Sequence, residues 1–102
     1  MNYGLKQRDI DYLLKAFRQY PEVEQAVIFG SRAKGSHKRG SDVDLAIKGK
    51  HVTDRTISAL KTTLEDELPL PFFFDIVHYE QIKSKDLIDH IDRVGKVLYE
   101  KD

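Results

Sequence analysis

Two aspartates one residue apart, Asp42 and Asp44, interrupt an otherwise apolar run of Val43, Leu45, Ala46 and Ile47, and no other feature restricts the fold of this chain as strongly. Aspartate is depleted in strands, and a carboxylate taken from water must be compensated. Side chains alternate along a strand, so residues 42 and 44 share one face with Cα atoms roughly 6.5 Å apart, while Val43, Leu45 and Ile47 take the other. Carboxylates placed this way converge on one divalent ion or a pair, and hard oxygen donors select magnesium, with manganese as the alternative. Asp75 stands in the same position within Phe72-Phe73-Phe74-Asp75-Ile76-Val77-His78-Tyr79. If the two strands are neighbours, three carboxylates gather on one patch. Singly, each has an ordinary explanation as a turn cap, an ion-pair partner or a strand-end charge. Together, Asp42, Asp44 and Asp75 form the candidate catalytic and metal-binding set.

The remaining pattern supplies a scaffold for two such strands. Ile10, Leu13, Leu14 and Phe17 form a helical stripe between Leu5 and Tyr20, ended by Pro21. Residues Gln25 to Phe29 are continuously apolar after the first, as a strand covered on both faces would be. Thr53 is placed to cap a helix with Ile57, Leu60, Leu64 and Leu68 on one side, stopped by Pro69 and Pro71. Ser84 is placed to cap a last helix with Leu87, Ile88, Ile91 and Val94 on one face, and Gly95 to end it. Val97-Leu98-Tyr99 suits either an edge strand or more helix. The order helix, strand, strand, helix, strand, helix describes an α/β domain, a small mixed sheet with covering helices. The link from Phe29 to Asp42 is too short for a crossover helix, so the first two strands are expected to run antiparallel.

Between those strands, Gly30-Ser31-Arg32-Ala33-Lys34-Gly35 leads into a loop carrying His37, Lys38 and Arg39 and closing on Gly40-Ser41. A serine opening a helical turn offers backbone N–H groups and a hydroxyl to phosphate oxygens, and Gly30 and Gly35 allow close approach. Alone this would read as an ordinary Gly-Ser turn with Ser31 as N-cap; beside the carboxylates, Gly30, Ser31, Arg32, Gly35 and Ser41 are the candidate nucleotide-binding residues. Arg32, Lys34, Lys38 and Arg39 are candidates to neutralise a triphosphate tail, although such residues commonly form only a solvated loop. No Gly-Lys-Ser/Thr follows, so this is not a P-loop. The histidines show no metal-ligand spacing and receive no chemistry, His37 in the loop being the one with any claim; the aromatic runs read as core.

At 102 residues the sequence fits one domain over residues 1–102, with no room for a separate acceptor domain. Formal charge is zero, which removes support for broad binding to a nucleic acid backbone and makes nucleic acid an unexpected direct substrate. Cysteine is absent, excluding disulfides and thiol chemistry and fitting a reducing, cytoplasmic compartment. No apolar run suits a signal core or a membrane span.

Gly30-Ser31, Gly35, Ser41-Asp42-Val43-Asp44-Leu45 and the later Asp75 resemble the signature of the DNA polymerase beta-like nucleotidyltransferases. The short length and the form Gly-Ser-Arg-Ala-Lys-Gly resemble the minimal nucleotidyltransferases (MNT) that serve as antitoxins in HEPN/MNT toxin–antitoxin pairs. The resemblance implies transfer of a nucleoside monophosphate, AMP from ATP, to an acceptor hydroxyl with release of pyrophosphate and help from two magnesium ions. By analogy Asp42 and Asp44 hold the metals, Asp75 completes the nucleophile side, and Gly30 with Ser31 binds the β- and γ-phosphates. It also implies a helical HEPN toxin as partner, modified on a tyrosine. Two alternatives accompany it: a non-catalytic antitoxin that neutralises its partner by contact, and a small-molecule nucleotidyltransferase completed by homo-oligomer formation.

Overall fold

A computed structural model describes residues 2–102. Helix α1 spans Gln7–Arg18 and strand β1 Gln25–Phe29, followed at once by the short helix α2, Gly30–Lys34. Strand β2, Val43–Lys48, leads to helix α3, Asp54–Thr62, which continues as a π-helical turn over Thr63–Glu67. Strand β3 is Phe74–His78, helix α4 Lys85–Val94 and strand β4 Lys96–Glu100. The sheet has the order β3-β2-β1-β4. As expected from the short link, β1 and β2 are antiparallel; β2 and β3 are parallel, so the sheet is mixed.

The two faces of the sheet are covered unequally. One packs Ala26, Ile28, Val43, Leu45, Ile47 and Phe74 against Leu13, Ala16 and Phe17 of α1 and Leu60 and Leu64 beyond. Full burial of such side chains contributes about 1.5 to 3 kcal/mol each, so this face carries most of the stability. The other holds only Val27, Phe29, Ala46 and Ile91 as a buried cluster under α4, with Val77 and Leu87 at its margin. The part of this second face next to Asp44 and Asp75 is consequently free for chemistry.

Caps fall where the side chains predict them: Thr53 Oγ1 accepts the Thr56 N–H, and Ser84 Oγ accepts the Leu87 N–H. Three boundaries differ from expectation. Asp42 precedes β2, which begins at Val43. The third strand begins at Phe74, because Pro69 and Pro71 delay it and Phe72 packs its ring beneath the Arg32 guanidinium, 5.0 Å from the centroid. Helix α3 loosens at Thr63, whose hydroxyl donates to the Ala59 carbonyl, a local bond that competes with regular helix. Of the two forms open to Val97-Leu98-Tyr99, the structure takes the strand: Lys96–Glu100 form an edge strand on β1, with a bulge opposite Ala26/Val27. Among the described residues no helix is long and apolar enough to cross a membrane.

Candidate active site

Register places the candidate residues in a row. Phe29, which ends β1, is opposite Asp44, and Asp44 is opposite Asp75, with neighbouring strands about 4.8 Å apart. Residues opposed in this way point to the same face, which is the sparsely covered one. Asp42, one residue before β2, continues the same alternation. Three aspartates therefore neighbour one another at the ends of two adjacent strands, with the start of α2 beside them.

Their electrostatics records the crowding. Asp44 is half-buried, and its carboxyl is held above the usual carboxylate range, first by burial and then by the negative charges of Asp75 and Asp42. His90 and Arg32 offset this only in part. Asp42 and Asp75 are exposed. Among the described residues no three Asp, Glu or His side chains stand in ready-made ligating geometry. The donor set nevertheless fits a hard divalent cation, being all oxygen and carrying uncompensated negative charge that such an ion would neutralise.

Gly30 is what allows Asp44 to sit so close to α2. Its φ of +73° lies in the left-handed region, and a β-carbon there would collide with Asp44 Oδ2, so both the backbone and the space require glycine. The Gly30 N–H donates to His90 Nε2 at 3.1 Å, and the His90 ring stands edge-on to Phe29. His90 was not among the residues assigned chemistry. Its signal lay in the spacing, since it falls on the same α4 stripe as Leu87, Ile91 and Val94 and so faces the sheet.

Arg32 and Ser41, expected at the nucleotide, are engaged in the scaffold. Arg32 is 2% exposed, and burial lowers its pKa while Asp44 and Asp42 oppose the shift. Its Nε donates to the Ser41 and Asp42 carbonyls, Nη2 to Ser41 O at 2.7 Å and Nη1 to Tyr3 O at 2.9 Å. Ser41 Oγ donates to the Lys38 carbonyl and accepts the Lys38 N–H, closing the loop. Gly35 caps α2 with a φ of +79° and has open space beside it, which makes it a helix stop. Ser31 is half-buried in the first turn of α2, and Lys34, Lys38 and Arg39 are exposed.

Concavities of about 440 and 480 Å³ lie elsewhere, one around Glu24, Lys48 and Glu80 and one around Leu14, Arg18 and Tyr99, and none of the three aspartates lines them.

The sequence model of the family "Polymerase beta, Nucleotidyltransferase" matches residues 11–102. Comparison with curated proteins gave no significant match. Among solved structures, a toxin–antitoxin complex with AMP-PNP superposes with a TM-score of 0.70 at 24% identity, covering 96% of this chain and 76% of that one. The toxin–antitoxin MntA-HepT gives 0.70 at 20% identity over 94% and 74%. A tri-AMPylated Shewanella oneidensis HEPN toxin in complex with MNT antitoxin gives 0.69 at 20% identity over 95% and 74%. At these identities the likeness is one of fold.

Proposed function

The chain belongs to the polymerase beta nucleotidyltransferase family, and from that premise we propose that it transfers AMP from ATP to a hydroxyl of a partner protein, a tyrosine of a HEPN-type toxin, and so acts as an antitoxin. The observation that carries this reading is the row across the sheet, in which Gly30 follows Phe29, Phe29 faces Asp44 and Asp44 faces Asp75. The AMP-PNP and AMPylated-toxin complexes among the structural neighbours support the choice of nucleotide and acceptor.

In this reading Gly30 and Ser31 hold the β- and γ-phosphates at the start of α2. Asp42, Asp44 and Asp75 would hold magnesium, or manganese in its place, which supplies charge neutralisation at the attacking and leaving oxygens. Arg32 anchors the carbonyls of Ser41 and Asp42 and thereby fixes where the Asp42 carboxylate starts. The acceptor oxygen attacks the α-phosphorus, the bond to the β-phosphate oxygen breaks, and pyrophosphate leaves. Asp75, exposed on the far side of Asp44, takes the acceptor's proton. Exposure of Asp42 and Asp75 leaves the acceptor to be presented by a second protein.

ATP labelled at the α-phosphate tests this with the purified chain, magnesium and a HEPN-type partner. Label on the partner and release of pyrophosphate are expected; background levels of both would overturn the proposal. One observation favours a second reading, neutralisation by contact alone: the Gly30 N–H, a donor that a phosphate would use, is already taken by His90. A variant lacking the carboxylates of Asp42, Asp44 and Asp75 that still protects cells from the partner would support it.

A further inference from the structure

The surface leading to Asp75 is apolar at regular intervals. Pro69, Pro71, Phe73 and Asp75 are exposed, alternating with buried Leu70, half-buried Phe72 and buried Phe74. Phe73 is 73% exposed, more than any other large apolar side chain among the described residues. One exposed phenylalanine is ordinary; its position makes this one informative. The Phe73 carbonyl accepts the Val43 N–H at 3.0 Å, so the chain is already held against β2 at residue 73. That places Phe73 beside Asp42 and, two residues before Asp75, on the carboxylate face. Its neighbours Phe72 and Phe74 pack edge-on against each other and satisfy the core, so burial gives no reason for an aromatic ring at residue 73.

The order across the sheet assigns the ring a side. The triphosphate tail belongs at Gly30, and in-line displacement puts the acceptor oxygen opposite the leaving pyrophosphate, at Asp75. Phe73 lies on the β3 side with Asp75, and β2 separates both from β1 and Gly30. We propose that Phe73, backed by Pro71, binds the acceptor and selects an aromatic hydroxyl, a phenol ring stacked on its own, over an aliphatic one. This rests on the nucleotidyl-transfer reading above. A serine side chain has no ring to stack and gains nothing from Phe73. A tyrosine ring gains an aromatic pair while its hydroxyl reaches Asp75.

The test uses ATP, magnesium and two short peptides that differ only in carrying one tyrosine or one serine. Peptide affinity is measured with a non-hydrolysable ATP analogue in place, and KM by transfer of label. The wild type is expected to prefer the tyrosine peptide, and Phe73→Ala to raise its Kd and KM roughly three- to tenfold, the size of one aromatic pair. Phe73→Trp should restore both, with the KM for ATP the same in all three proteins. Thermal melts check that Phe73→Ala remains folded. Equal affinity for the two peptides, a tyrosine-peptide KM unchanged in Phe73→Ala, or a rise in the KM for ATP instead would overturn the assignment while leaving nucleotidyl transfer standing. Failure of the ATP analogue to bind with magnesium would overturn the transfer reading and the assignment with it.

Discussion

Asp44 bears the electrostatic cost of the site, since it alone of the three carboxylates is both partly buried and held between two others. Its raised pKa fixes the sign of a pH effect. Between the unfolded value of 3.8 and the raised folded value, the folded protein binds more protons than the unfolded one, so this group's contribution to stability falls as pH rises and its penalty is complete above the folded pKa. With chelator present, Asp44→Asn is therefore expected to melt no lower than wild type at pH 7, and the difference between the two proteins should shrink as pH falls toward 4. AMP transfer by the same variant should drop to background. A clear loss of melting temperature at pH 7 would mark Asp44 as structural. His90 gives a second test: His90→Leu leaves the part-buried Gly30 N–H without its acceptor and should cost about 1 kcal/mol in denaturant unfolding, whereas His90→Gln, which keeps an acceptor, should cost less.

The junction of β1 with α2 and the loop that follows convert these residues into a site. Gly30→Ala adds a β-carbon where Asp44 Oδ2 lies and forces a left-handed backbone on alanine. At least about 1 kcal/mol of stability should be lost, together with nucleotide binding, by unfolding and titration with an ATP analogue. Arg32→Met should cost about 2 to 3 kcal/mol, because carbonyls of Tyr3, Ser41 and Asp42 lose a charged donor. The sequence allowed the close approach at Gly30, the placing of Asp44 on the face opposite Val43 and Leu45, and the caps at Thr53 and Ser84 to be read because each depends on local spacing or backbone chemistry. The use made of Arg32 was not legible. A basic residue in a glycine-containing loop is the same letter whether it meets a phosphate or three carbonyls brought from residues 3, 41 and 42. His90 was hidden for a related reason: its partner, Gly30, is 60 residues away.

At the scale of the molecule, the decisive feature is strand order. Antiparallel pairing of β1 and β2 followed from the length of one loop, but the parallel pairing that sets Asp75 opposite Asp44 needs the whole path through α3 and could only be required by the chemistry expected of the three aspartates. The unequal covering of the sheet then explains how one small fold keeps a packed face under α1 and α3 while leaving the carboxylates open. All of this converges on one shared metal and nucleotide site, and diffraction from crystals grown with manganese and a non-hydrolysable ATP analogue tests it directly. Anomalous peaks within coordinating reach of Asp42, Asp44 and Asp75, with the triphosphate tail at Gly30 and Ser31, are expected. Nucleotide bound elsewhere, or no manganese between these carboxylates, would contradict it.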